Sequence, residues 1–190
     1  MSETPELLAD AEAITRSVRR MAASIVEEAM RSGAKSPERL AIVGIRRGGV
    51  PIAEMLAREI ALAEALDVPT GTIDIALYRD DAATALPDPK IGPSAIDFDV
   101  RGRDVVLVDD VLQTGRTVRA AIDCLLDYGR PRRVWLAVLF DRGGRELPIA
   151  ADFVGRPVEI DEDAKLEVIL DDDGTPTAAK VSGASREGAR

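Results

Sequence analysis

The sequence predicts an α/β fold with a central, mostly parallel sheet flanked by helices. Continuous apolar runs at residues 40–45, 105–108 and 134–140 are typical of strands that are buried on both faces. Helical patterns follow the first two runs, at residues 51–66 and from residue 117 on, so strands and helices alternate as parallel connections require. In such sheets, ligands bind beyond the carboxyl ends of the strands, and we expect the functional loops there.

The first element is predicted to be a long amphipathic helix that begins at Thr4 and Pro5 and ends near Gly33. Its other face carries Arg19 between further arginines, which form either a solvated surface or a partner site. The apolar face is marked by residues of helical spacing: Leu7, Ala11, Ile14, Val18, Met21, Ile25 and Ala29.

Two arginines and two glycines follow the first buried strand, as Arg46-Arg47-Gly48-Gly49. Glycines leave backbone amides accessible to an anion, and arginines form forked contacts to phosphate. The alternative is a tight turn with two exposed arginines. The shared sheet edge favours the phosphate interpretation, because it brings this loop close to other charged loops.

A third strand of two-residue period is predicted at residues 72–78. The stretch at 82–94, with three prolines and a glycine, is expected to be a long loop, either a lid or a plain excursion. Short strands are also expected at 152–154 and 166–170. From residue 171 the chain is rich in Asp, Gly, Ser and Ala, which leads us to expect one domain over residues 1–175 and a disordered tail over 176–190.

The most informative stretch is the run at residues 105–117, where an apolar strand ends on Asp109 and Asp110 and a helical pattern follows. The amides of a helix N-terminus and the helix dipole favour a bound phosphate. Paired carboxylates accept hydrogen bonds from a diol such as that of ribose. The run between strand and helix therefore predicts a site for a phosphorylated sugar; it contains Val111, Leu112, Gln113, Thr114, Gly115, Arg116 and Thr117.

Composition excludes several classes of function. The chain of 190 residues carries a formal net charge of −9 and one cysteine, which argues against a globally basic nucleic-acid binder and against an intramolecular disulfide. It has no histidine, which removes histidine-based triads and imidazole acid–base catalysis. No apolar run has the length of a membrane span, and we expect a cytoplasmic protein.

The run at residues 105–117 resembles the phosphoribosyl-pyrophosphate (PRPP) motif of the type I phosphoribosyltransferases. Three further segments, at 43–49, 74–81 and 141–148, are together with it similar to the pyrimidine-operon attenuation regulators, bifunctional bacterial proteins with uracil phosphoribosyltransferase activity. The resemblance covers roughly residues 10–170. It implies a type I phosphoribosyltransferase fold with a small hood, and a reaction of uracil with PRPP to give UMP and pyrophosphate.

The resemblance also implies roles for individual residues. Asp109 and Asp110 are expected to hold the ribose hydroxyls, Arg79 to belong to a loop that covers the site, and Arg142 to lie near the base. Mg²⁺ is expected to bind mainly through the pyrophosphate, with no dedicated protein site. Arg46 and Arg47 are expected by the pyrophosphate, and Thr114, Gly115, Arg116 and Thr117 around the 5′-phosphate. The other expected substrate-binding residues are Gly48, Val108, Val111, Leu112 and Gln113.

Several departures bear on RNA binding, the second activity of the resembled family. Gly144 stands where a histidine is common, Ala150 where an arginine is usual, and no histidine occurs at 22–24. Arg47-Gly48 replaces a common threonine–arginine pair. Arg19, Arg145 and Arg156 remain as candidate contacts to pyrimidine-operon leader RNA, whose affinity depends on phosphate neutralisation.

Three alternatives stay open at this point. The protein could transfer phosphoribose to another base, could sense UMP without turnover, or could be a receiver-like α/β domain with an acidic pocket. The last gives no role to the Thr-Gly-Arg-Thr turn. A homodimer or larger assembly is expected from the resemblance.

Overall fold

The computed structural model describes residues 5–32, 39–75 and 94–183. The elements along the chain are β1 (Glu6–Asp10), α1 (Ala11–Arg31), β2 (Leu40–Ile45), α2 (Gly49–Glu64), β3 (Thr70–Ile73), β4 (Asp104–Leu112), α3 (Arg116–Asp127), β5 (Arg133–Asp141), β6 (Phe153–Pro157), β7 (Lys165–Leu170) and β8 (Pro176–Ser182).

The main sheet has five strands in the order β3-β2-β4-β5-β6, and all of its pairings are parallel. Its three central strands, β2, β4 and β5, are buried on both faces, as their continuous apolar runs predict. Leu40 and Ile42 of β2 pack into the cluster that contains α1 and α2, whereas Ala41 and Val43 pack into the cluster that contains α3. The helices therefore cover both faces, which confirms the predicted α/β architecture.

A second, antiparallel sheet of three strands has the order β1-β8-β7. It forms the small hood that the resemblance implies. The hood packs on the main body, because Leu166 of β7 and Val181 of β8 belong to the same hydrophobic cluster as α1.

The expectation of a disordered tail from residue 176 is wrong for residues 176–182. These residues form β8, the central strand of the hood, with Ala179 and Val181 buried. A sequence of small and polar residues is typical of coil. Here β1 and β7, which pair with β8 on its two sides, supply the backbone hydrogen bonds that define the strand. Residues 184–190 lie outside the described part of the chain.

The predicted start of the first helix is also wrong. Residues 6–10 form β1, paired with β8, and α1 begins at Ala11. Asp10 caps the helix, since its carboxylate accepts a hydrogen bond of 2.8 Å from the Ala13 amide. The helix ends at Arg31, close to the predicted end.

The third strand spans Thr70–Ile73, and the rest of its predicted length falls partly outside the described residues. The predicted loop at 82–94 lies almost wholly outside them as well. Within the described ranges, no helix combines the length and the apolar character that crossing a membrane requires.

Candidate active site

The carboxyl ends of β2, β4 and β5 meet at one edge of the main sheet, and the hood stands above it. A cavity of about 260 Å³ lies between this edge and the hood. Its walls come from β4, the β4–α3 turn, α3, the loop after β5 and the start of β7: Asp109, Val111, Leu112, Gln113, Thr114, Gly115, Thr117, Val118, Arg142, Lys165 and Leu166.

The turn between β4 and α3 forms one wall of this cavity. Gly115 has a φ of +89°, a left-handed conformation that favours glycine, and α3 starts at the next residue. The hydroxyl of Thr114 accepts a hydrogen bond of 3.3 Å from the Arg116 amide. The first-turn amides of α3, which have no partner within the helix, are thus presented beside the cavity, an arrangement suited to a phosphate group.

Asp109 and Asp110 end the buried part of β4. Asp109 is only 6% exposed, and its Oδ1 accepts a hydrogen bond of 3.0 Å from the Asp110 amide. Asp110 is partly exposed, and its Oδ1 accepts 2.9 Å from the Val111 amide. Burial raises the pKa of Asp109 well above its ordinary range, and the adjacent carboxylate of Asp110 raises it further.

The loop after β2 lies directly on the end of β4. A Cβ placed on Gly49 would overlap the carbonyl oxygen of Val108, and one placed on Gly48 would overlap the carboxylate of Asp110. Gly49 is thus needed for close approach of the two loops, whereas at Gly48 the overlap is with the movable end of the Asp110 side chain. The Arg46–Arg47 peptide bond is cis, and both arginine side chains are exposed. This packing brings two cations to the same edge as the two carboxylates.

The segment after β5 packs against the turn between β4 and α3 and is hydrogen-bonded to it. The amides of Glu146 and Leu147 each donate a hydrogen bond of 3.1 Å to the Thr114 carbonyl. The Glu146 carboxylate accepts 2.6 Å from Nε of Arg116. The side chain of Ile149 leaves little room beside Gly115. The turn is therefore held in place before any ligand arrives.

Arg145 is bound within this support rather than directed at solvent. Its guanidinium donates to the carbonyls of Gln113 (2.9 Å), Gly143 (3.1 Å) and Ile149 (3.0 Å) and to the carboxylate of Asp141 (2.5 Å). Burial alone would raise the pKa of Asp141, but the hydrogen bonds from Arg145 and from the Gly143 amide hold that pKa below its usual value.

The hood contributes Lys165 and Leu166 to the cavity, and sequence reasoning missed both. The strand they begin was recognised, but nothing in its pattern indicates that it crosses above the main sheet. Lys165 forms an ion pair with Glu167, and Leu166 is 8% exposed. The order β1-β8-β7 depends on pairing between the two ends of the chain, which local patterns do not encode.

Most of the predicted site residues lie either around the cavity or in the loop beside it, and three are placed differently. The structure brings together around the cavity Asp109, Val111, Leu112, Gln113, Thr114, Gly115, Thr117 and Arg142. Asp110 lies against the neighbouring loop, which contributes Arg46, Arg47 and Gly48. The side chain of Val108 is buried in the core, so only its backbone can face a ligand. Arg116 is partly exposed and paired with Glu146. Arg79 lies outside the described residues.

The three candidate RNA contacts all have partners within the protein. Arg19 on α1 forms hydrogen bonds of 3.2 and 3.3 Å with the carboxylate of Glu59 on α2. Arg156 donates 2.8 Å to the carbonyl of Leu8 in the hood. Arg145 is held as described above. Arg19 and Arg145 are thereby paired with carboxylates, which offsets part of their charge, whereas the carbonyl partner of Arg156 leaves the charge of that exposed side chain unchanged.

Comparison with known proteins agrees with this geometry. Residues 6–169 match the phosphoribosyl transferase domain family. A bifunctional protein PyrR of Roseiflexus sp. (strain RS-1) is 49% identical over 161 residues, which are 85% of each chain. That of Thermus aquaticus is 50% identical over 163 residues, covering 85% of this chain and 87% of its own.

Solved structures agree on the fold. The hypoxanthine phosphoribosyltransferase of Trypanosoma cruzi superposes with a TM-score of 0.70 at 19% identity, covering 95% of this chain and 97% of its own. At that identity the likeness establishes the fold alone, a type I phosphoribosyltransferase fold. The domain match, the two close relatives and the cavity at the end of β4 agree that the chain belongs to the phosphoribosyltransferase family and, within it, to the bifunctional PyrR proteins.

Proposed function

We propose that the protein transfers the phosphoribosyl group of PRPP to uracil, releasing UMP and pyrophosphate. The observation that carries this is the cavity at the carboxyl end of β4, which places a helix N-terminus, two threonines and a buried carboxyl beside one another. A phosphate and a sugar diol are the groups that such a wall recognises.

Different residues bind different groups of PRPP. Thr114, Gly115 and Thr117, with the first-turn amides of α3, cradle the 5′-phosphate, and Arg116 lies beside them. Asp109 and Asp110 accept hydrogen bonds from the ribose hydroxyls. Arg46 and Arg47 bind the pyrophosphate, and Arg79, which lies outside the described residues, is the third catalytic residue that the resemblance implies.

The carboxylates of Asp109 and Asp110, together with the phosphates of PRPP, are the kind of oxygen ligands that Mg²⁺ uses. Among the described residues no cluster of three or more metal ligands occurs, whereas Mg²⁺ characteristically uses one or two carboxylates and substrate phosphates. Asp109 and Asp110 are the carboxylates in reach of such an ion. When bound with PRPP, Mg²⁺ neutralises charge on the departing pyrophosphate.

The chemistry needs little acid–base assistance from the protein. The bond from C1′ to the pyrophosphate oxygen breaks, the oxygen keeps the electron pair, and N1 of uracil bonds to C1′ while losing its proton. Positive charge builds on the ribose as the leaving group departs. The protein contributes positioning, electrostatic stabilisation and exclusion of water, which is consistent with a chain that has no histidine.

The test is pyrophosphate release from PRPP and Mg²⁺ with uracil, hypoxanthine, guanine, orotate or no base in parallel. Turnover with uracil alone is the expected result. Turnover with a purine instead identifies a phosphoribosyltransferase for another base. UMP binding without turnover with any base identifies a non-catalytic sensor and overturns the proposal.

We propose a second, regulatory activity in which UMP strengthens binding to pyrimidine-operon leader RNA. The word "bifunctional" in the names of relatives at 49–50% identity supports it. The carboxylate partners of Arg19 and Arg145 weigh against strong electrostatic attraction, whereas the exposed Arg156 keeps its charge. A filter-binding titration with and without UMP decides it, and binding that UMP leaves unchanged refutes the coupling.

A homodimer or larger assembly in the cytoplasm completes the proposal. It rests on the family resemblance. Sedimentation equilibrium at micromolar concentration tests the assembly, and a monomer at all concentrations contradicts it.

A further inference from the structure

We infer that Arg142 is a positioning residue that fixes the hood above the floor of the cavity and so sets the space for the base. The inference rests on the proposed function, because it concerns how the uracil site is held. It assigns Arg142 an action through the backbone of the hood rather than through contact with the base.

The guanidinium of Arg142 donates hydrogen bonds to three backbone carbonyls of the loop between β6 and β7. Nη1 donates 2.7 Å to the carbonyl of Ala164, and Nη2 donates 2.9 Å to Asp161 and 3.1 Å to Glu162. The loop is itself closed by a hydrogen bond of 3.0 Å from the Ala164 amide to the Asp161 carbonyl. Both terminal nitrogens of Arg142 are therefore occupied by the hood.

The bonded loop leads directly into the roof of the cavity. Ala164 is followed by Lys165 and Leu166, the two hood residues that line it. Ala164 is 3% exposed and Leu166 is 8% exposed, so this part of the hood is packed and not free to adjust. Fixing the carbonyl of Ala164 thus fixes the position of the next two residues.

The backbone of Arg142 is bonded to the floor. Its amide donates a hydrogen bond of 3.1 Å to the carbonyl of Leu112, a residue of the cavity floor. One residue therefore joins floor and roof, with its main chain on one and its side chain on the other. This link adds to the hydrophobic packing of Leu166 on the main body, and it ties the position of Leu166 to that of Leu112.

The link consists of hydrogen bonds to backbone carbonyls, while the side chains of Asp161, Glu162 and Asp163 in the same loop are exposed. Arginine suits this position because its planar group donates to several carbonyls at once, whereas lysine offers a single point charge.

The experiment compares Arg142→Gln and Arg142→Lys with the unaltered chain. Arg101→Gln is the matched control, because it removes the same charge from an exposed arginine that precedes β4, at the opposite edge of the sheet, and is paired with Asp99. Two readouts are taken: hydrogen–deuterium exchange of residues 158–168 without ligand, and steady-state kinetics with uracil and hypoxanthine.

In Arg142→Gln we expect faster exchange at 158–168 and a KM for uracil raised about tenfold or more, with the KM for PRPP within about twofold of normal. The preference for uracil over hypoxanthine should fall, because the roof is no longer held. Arg142→Lys should recover part of both effects, and Arg101→Gln should show neither.

Unchanged exchange together with a raised KM for uracil would mean direct contact with the base and would overturn the inference. Unchanged KM values would overturn it as well. Failure of the proposed function is distinguishable, since the unaltered chain would then show no turnover with uracil. In that case the exchange experiment still tests whether Arg142 holds the hood.

Discussion

The carboxylate of Asp110 occupies the space where the Cβ of residue 48 would lie if that residue were not glycine. The contact joins the loop after β2 to the end of β4, the two sequence segments that carry opposite charge at the site. The resembled family commonly has an arginine at this place. The contact is therefore a property of this chain, and it can be tested directly.

Gly48→Ala should lower activity without harming the fold. Gly48 has φ −68° and ψ −29°, which alanine adopts without strain, and the atom displaced is the end of a flexible side chain. The Asp110 carboxylate must rotate away, and we expect kcat/KM for PRPP to fall about tenfold or more. Thermal unfolding serves as the control and should be unchanged. Full activity would show that Asp110 works equally well from another position.

Asp110→Asn should keep the fold and reduce kcat/KM by about 100-fold, because the ribose hydroxyls lose a charged acceptor. The measurement is pyrophosphate release at saturating uracil. Asp123→Asn on α3 is a suitable control, since it removes the same charge from a partly exposed residue paired with Arg119. Near-normal turnover in Asp110→Asn would refute the assigned role.

Asp109 should make the protein less stable as the pH rises from acid towards neutral. Its pKa in the folded state is raised above the ordinary value of about 3.9, so the folded state holds the proton more tightly than the unfolded chain. The resulting contribution is fully present below pH of about 3.9 and is lost as the pH rises through the folded-state pKa. Burial is the main cause.

The measurement is the Tm of the unaltered chain and of Asp109→Asn between acid and neutral pH. The variant cannot ionise, so its advantage in Tm over the unaltered chain should grow with pH across that window. A difference that does not change with pH would mean that Asp109 ionises normally.

Removal of β8 should destabilise the protein, whereas removal of the residues after it should not. A chain that ends at Thr175 loses the buried side chains of Ala179 and Val181 and leaves β1 and β7 without their shared partner. We expect a loss of at least about 2 kcal/mol in the free energy of unfolding. A chain that ends at Gly183 is the matched control. Equal stability of the two chains would show that β8 contributes little.

Local pattern was sufficient for the main sheet and for locating the turn between β4 and α3. The runs at 105–108 and 134–140 are apolar on both faces, and only a sheet covered on both sides accounts for that. The turn at Thr114–Thr117 could be located because glycine and threonine before a helical pattern have few other uses. Neither prediction depended on contacts between distant parts of the chain.

The hood could not be predicted from local sequence pattern, because β1 forms a strand only when it pairs with β8, which is distant in the sequence. Leu7 was placed on a helix since its spacing to Ala11 and Ile14 fits one, yet pairing with β8 draws residues 6–10 into a sheet. Arg145 was a candidate RNA contact because its position resembles an RNA-contacting one in the family. Its five partners come together only once the surrounding segments are assembled: the carbonyls of Leu112, Gln113, Gly143 and Ile149 and the carboxylate of Asp141.

The pairing of β1 with β8 has a consequence for the order of events during synthesis. Glu6 pairs with Val181, so β1 cannot be paired until β8, much later in the chain, has been synthesised. The main sheet can form before then, but the roof of the cavity cannot. A nascent chain arrested before residue 176 should therefore carry the phosphate-binding turn and still lack a closed site for its base.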